Sequence, residues 1–64
     1  MRDTATIHFQ DATSGEVGLA TVRCDERCVG VGLSLQTNGD VEVFLERSDV
    51  ERLIEALQRA VASC

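Results

Sequence analysis

Proline, tryptophan, tyrosine and lysine are absent from this sequence, and Phe9 and Phe44 are its only aromatic residues. It has no apolar stretch long enough for a signal peptide, nor one near the roughly 20 residues that span a bilayer. A cytosolic chain with no membrane partner is therefore expected. Basic charge is scarce: six arginines stand against eleven Asp and Glu, for a net charge of −5. That excludes a nucleic-acid binder relying on a basic surface. A chain of 64 residues buries only roughly 60% of its unfolded surface, enough for one small domain and one marginal core but not for a large catalytic fold. Its 44% hydrophobic content still describes a folded protein rather than an acidic disordered tail.

Three cysteines, Cys24, Cys28 and Cys64, are an odd number, and in a reducing cytosol they are expected as thiols without a structural disulfide. Cys24 and Cys28, if opposed across a turn, could be joined only under oxidation, and no recognisable redox motif lowers a thiol pKa. Zinc is disfavoured by distance. His8, placed opposite Gly18, lies about 20 Å from Cys24 at the strand rise. His8 has no nucleophile or acid at a known catalytic spacing, and Glu42 and Glu46 are about 13 Å apart along one strand, too far for a coupled carboxylate pair. Gly30-Val31-Gly32 falls inside a strand rather than between a strand and a helix, so no phosphate-cradling loop is present. No catalytic residue, metal or cofactor is expected, and the chain is not expected to be an enzyme.

Residues 4–10 alternate strictly, with Ala5, Ile7 and Phe9 on one face. Residues 11–15 form a turn-rich loop, and an extended pattern resumes over 17–24. Residues 28–36 place Val29, Val31, Leu33 and Leu35 on one face, and residues 40–46 do the same with Val41, Val43 and Leu45. A two-residue Asn-Gly turn would set these two rows on opposite faces. A three-residue loop, Thr37-Asn38-Gly39, pairs Leu35 with Val41 and Leu33 with Val43 and puts Gly39 in the left-handed region. Ser48-Asp49-Val50-Glu51 has the form of a capping box, predicting a helix over about 49–62 whose apolar stripe is Val50, Leu53, Ile54, Leu57, Ala60 and Val61. The expected fold is α+β: a four-stranded, or at least three-stranded, antiparallel meander with one C-terminal amphipathic helix packed on one face. A single domain over residues 1–64 is expected.

With Phe9 set opposite Val17 and Cys24 opposite Cys28, the helix-covered face takes Val17 and Leu19, and the open face takes Gly18, Ala20, Val22, Gly30 and Gly32. Glycine inside a strand weakens it, so these positions need a reason. One is a concave trough, floored by Gly30 and Gly32 and walled by the Thr4-Thr6-His8 strand and by Glu42, Phe44 and Glu46, that receives a partner. Another is a bulge or strong twist in a solvated sheet. A third is a homodimer through Phe44, Val22 and the glycines; a monomer is the first expectation.

Six acids and two arginines lie between Asp40 and Glu55, so this edge carries −4 of the total charge. Glu42, Glu46, Asp49, Glu51 and Glu55 could stand in for phosphates in a basic nucleic-acid-binding groove, with Phe44 as an apolar anchor; a merely solubilising acidic face is the plainer reading. In its outline of a very short acidic chain with a small sheet and one helix, the protein resembles phage-encoded anti-CRISPR inhibitors. Among them it is closest in character to a type I-C inhibitor with an antiparallel sheet, one long helix and an acidic concave groove, which here corresponds to the glycine-floored face edged by Glu42 and Glu46. The resemblance implies a viral protein in the cytoplasm of a bacterial host cell. It would bind a CRISPR Cascade-type complex and block DNA capture, without contacting nucleic acid itself and without enzymatic activity. A small homodimeric structural or regulatory accessory module is the alternative.

Overall fold

The computed structural model describes residues 2–37 and 39–64. Four strands, β1 (Arg2–Gln10), β2 (Val17–Cys24), β3 (Cys28–Leu35) and β4 (Gly39–Glu46), precede one helix, α1 (Arg47–Ser63). The strands form an antiparallel meander in the order β1-β2-β3-β4, so the architecture is the expected α+β arrangement.

The β3–β4 connection has the expected length of three residues but sits one position earlier, at 36–38 rather than 37–39, which moves the pairing by two residues. Leu35 faces Gly39, Leu33 faces Val41 and Val31 faces Val43. A two-residue shift leaves parity unchanged, so both apolar rows still share a face. Gly39 has the expected left-handed conformation, at φ +80°, but as the first residue of β4 rather than the last of the loop. Asn38, the middle residue of the expected turn, lies outside the described residues. The Glu16 carboxylate, at the start of β2, accepts the Thr37 N–H at 2.8 Å and the Thr37 hydroxyl, tying this turn to the neighbouring loop.

The expected register of β2 is corrected by one residue at both its ends. Phe9 faces Gly18 and Gln10 faces Val17, while Cys24 faces Val29 rather than Cys28. Loop chemistry sets both slips. Asp11 closes the first loop: its N–H donates to the Glu16 carbonyl at 2.8 Å, its carbonyl accepts the Gly15 N–H at 2.8 Å, and its carboxylate accepts the Ser14 N–H and hydroxyl, each at 2.8 Å. In the second, the Asp25 N–H donates to the Cys28 carbonyl at 3.0 Å, leaving Glu26-Arg27 as a two-residue turn. Gly18, Ala20 and Val22 consequently join the apolar face, and Val17, Leu19, Thr21 and Arg23 move to the other. Gly18 is bare for a local reason: a Cβ there would stand 2.3 Å from the tip of the Phe9 ring.

Helix α1 begins at Arg47, directly after the last strand residue, and the capping box does not form. The N-cap is Glu46, with extended backbone and no side-chain cap bond, because its pairing with Cys28 holds the chain in the sheet up to that residue. Ser48 therefore falls inside the first turn. Arg47 and Glu51 pair at 3.5 Å instead, as do Arg52 and Asp49 at 3.4 Å. The helix touches the Cys28–Val29 end of β3 and the end of β4 but neither β1 nor β2. Contact fades along its length: Val50 is half-buried, Leu57 is 57% exposed and Val61 77%. No hydrophobic side chain is buried among the described residues; only Gly18, Gly30 and Gly32 are.

Replacing Gly18 with Ala should displace the Phe9 ring and cost about 1–3 kcal/mol in urea unfolding; unaltered stability would mean that the ring does not depend on a bare position beneath it. The two hydrogen bonds from Ser14, that of its N–H first, hold the Asp11 carboxyl below the usual carboxylate range. A carboxyl pKa depressed by folding stabilises above the unfolded value of about 3.9 and loses that contribution as pH falls through the folded value. Acid unfolding should therefore be shallower in Asp11→Asn than in the parent chain, and coincident acid limbs would contradict this.

Candidate functional site

The corrected register decides what lies on the polar face. Across it run His8, Leu19 and Ser34; Thr6, Thr21, Gly32 and Glu42; and Asp3, Arg23, Gly30 and Phe44, with Cys28 and Glu46 at the end. The expected empty trough is occupied. Arg23 of β2 meets Asp3 of β1 at 3.0 Å and reaches over β3 to Glu42 of β4 at 3.6 Å. Its path passes Gly30 and Gly32, where β3 carries no side chain to obstruct it. A Cβ at Gly32 would also stand 2.6 Å from the Thr21 hydroxyl oxygen. Two of the glycines expected to floor a partner site thus leave room for an arginine bridge and a threonine. Two shallow hollows remain open on this face, one of about 160 Å³ bordered by Leu19, Thr21, Ser34, Asp40 and Glu42 and one of about 460 Å³ bordered by His8, Val17, Leu19, Ser34 and Gln36.

The expected partner-binding residues divide into two groups. Glu42, Phe44 and Glu46 share one face of the edge strand β4, opposite Gly32, Gly30 and Cys28 in register. Phe44 is 56% exposed there, a large apolar group on the same face as Val17 and Leu19. Asp49, Glu51 and Glu55 lie beyond the strand end on α1, and each pairs within the helix: with Arg52 at 3.4 Å, Arg47 at 3.5 Å and Arg59 at 2.7 Å. Such exposed pairs add little stability, but they offset the negative charge these three acids would otherwise present. Glu51 lines a separate groove of about 390 Å³ with Asp25, Glu26, Arg27, Cys28, Val29, Arg47, Val50 and Ile54, between the β2–β3 turn and the first turns of the helix. The homodimer interface drawn through Phe44 and Val22 is also excluded as a single patch: Val22 faces Val31 and Val43 on the apolar side, and Phe44 is on the other.

The cysteines are free thiols. Cys24 and Cys28 project from opposite faces, since Cys24 pairs with Val29, so the direct opposition on which an oxidative cross-strand disulfide would depend is not present. His8 faces Leu19 rather than Gly18, and no group of three His, Cys, Asp or Glu suited to a metal occurs among the described residues. Pairing of Arg2 with Cys24 across β1 and β2 has a consequence that sequence spacing did not reveal. The Thr4 hydroxyl, then the Arg2 guanidinium, whose Nη2 donates to Sγ at 3.4 Å, hold the Cys24 thiol below its ordinary range, against the opposing charge of Asp25.

No family model, curated protein or solved structure matches this chain. Its functional reading rests on its own residues.

Because the thiolate is the nucleophile, Cys24 should be alkylated by iodoacetamide at lower pH than an ordinary thiol. Arg2→Ala should move its pH profile upward; a profile indifferent to that substitution would show that the guanidinium does not act on the sulfur.

Proposed function

We propose that this protein is a non-enzymatic, protein-binding inhibitor that uses the β4 side of its polar sheet face to occupy a basic, nucleic-acid-binding surface on its target. The observation that carries the reading is the exposed Phe44 between Glu42 and Glu46 on one face of an edge strand. An aromatic anchor supplies apolar contact, and flanking carboxylates orient it against cations and favour rapid association.

Charge distribution supports the same surface. Residues 1–46 hold eight carboxylates and three arginines, whereas residues 47–64 hold three of each. The net −5 thus belongs to the sheet and its loops, and the helix is neutral. The acidic surface is accordingly narrower than the edge from Asp40 to Glu55: Glu46 and Glu42 form it on either side of Phe44, Glu42 sharing Arg23 with Asp3, Asp40 extends it, and Asp49, Glu51 and Glu55 are each offset by an arginine of the helix. The anti-CRISPR resemblance specifies a Cascade-type complex in a bacterial cytoplasm as the target, with DNA capture as the step blocked.

A competition assay between duplex DNA and the chain for a purified type I-C Cascade-type complex tests both levels. The parent chain should displace DNA, and the double variant Glu42→Lys, Glu46→Lys should lose at least about tenfold in potency, since reversing two charges at an interface costs several kcal/mol, with its circular dichroism unchanged. Absence of displacement would refute the Cascade target, and full potency in the double variant would remove β4 from the interface.

A further inference from the structure

Two apolar surfaces of this chain are left without a partner, and they match each other. The apolar sheet face gathers Ile7, Leu33, Val41 and Val43 around half-buried Val22 and Val31; Leu33 is 49% exposed and Val41 57%. The helix stripe is Leu53, Ile54, Leu57 and Val61, all exposed. At 17 residues the helix is about 25 Å long, and an eight-residue strand about 26 Å; the stripe from Leu53 to Val61 runs along about 12 Å of that length, enough to cover the Leu33, Val41 and Val43 patch. Within one chain they meet only at the Val29 end, where Val50 and Ile54 approach β3, because nothing connects them with slack. Glu46 is still paired in the sheet and Arg47 is already helical, whereas a helix that turns back over its own sheet needs a connection of about two to six residues.

The dimensions record the same deficit. The chain exposes 5282 Å², about 1,300 Å² more than the roughly 4,000 Å² expected of a compact monomer of 6.9 kDa. Its radius of gyration is 12.8 Å, against about 11 Å for a compact chain of this length. We propose that the protein is a two-fold homodimer in which α1 of each copy lies along the apolar sheet face of the other. Recovering the excess on both chains buries about 2,600 Å², within the roughly 2,000–5,000 Å² of obligate homodimers. The symmetry is closed, because each copy donates a stripe and receives one. Charge permits the approach: the helix, with three arginines against Asp49, Glu51 and Glu55, is neutral, and it is the part that lands on the other copy's acidic sheet. The polar face is a poorer seat for the stripe, with the Asp3–Arg23–Glu42 bridge across it. The dimer leaves that face outward and does not rest on its proposed role in inhibition.

Sedimentation equilibrium in reducing buffer, at micromolar concentrations, should give about twice the chain mass; a folded monomer throughout would overturn the proposal. Leu33→Asp and Leu57→Asp should each yield monomers, and mixing the two should restore association, because one helix and one sheet face in the mixed pair remain unaltered. Helices pairing only with each other would leave Leu33→Asp dimeric, and faces pairing only with each other would leave Leu57→Asp dimeric. Either result, or failure of the folded mixture to associate, overturns the crossed arrangement. Should the aspartate variants not fold, Leu33→Ala and Leu57→Ala give the same information: each should raise the dissociation constant at least about tenfold, and an unchanged constant refutes the role of that side chain. Thr6→Asp, on the polar face, should remain dimeric, and its dissociation would place the interface on the wrong side of the sheet. Loss of DNA displacement in the β4 variants with the dimer intact would separate the two proposals.

Discussion

The junction between Glu46 and Arg47 constrains everything else in this molecule. A strand residue still engaged in the ladder is followed by a helical one with no intervening loop. The helix leaves the sheet without room to reverse, its first turns rest on the Cys28–Val29 end of β3, and its remaining turns project beyond. A chain this small has little surface to spare from burial, and the junction withholds one of its two apolar layers from the other. The amphipathic patterns of strands and helix make sense only if both layers are covered, and a second copy supplies each with the surface it lacks.

The two faces of the sheet then have distinct roles. One is a continuous apolar field, with Gly18 making room for Phe9. The other is laced across all four strands by Arg23, which extends from Asp3 to Glu42 over the bare stretch of β3. Holding the outer strands through one arginine requires that the strand between carry nothing in the way, which is a structural reason for glycine at 30 and 32. What the bridge leaves exposed on that side is Phe44 with Glu46, beside Glu42 at the end of the bridge, and recognition of a basic partner would begin there.

Much of this was legible in the residues. Alternation located β1, β3 and β4, a looser extended pattern located β2, and spacing of three and four located the helix, because these signals depend only on each element having an apolar side. Parity of the β3 and β4 rows identified a three-residue connection with Gly39 left-handed, even though the pairing sits two residues away from the expected one. The register of β2 was not legible. Its faces exchange with a slip of one residue, and that slip is set by Asp11 closing a loop on Ser14, Gly15 and Glu16 and by Asp25 closing a two-residue turn on Cys28, contacts that alternation does not encode. The candidate site inherited the error: Thr21 and Arg23 stand where an open floor was expected.

By itself, the sequence determined the fold class, the number and kind of elements, the acidic balance and the existence of two apolar surfaces, since composition and periodicity act locally along the chain. It took the three-dimensional arrangement to show that Cys24 lies beside Arg2, that Arg23 spans the sheet, that Phe44 and Val22 are on opposite faces, and that the helix stripe meets the sheet face only at its Val29 end. These depend on register and on the direction in which α1 leaves β4, both fixed by a few loop hydrogen bonds and by the missing connection at residue 46 rather than by any pattern of hydrophobicity.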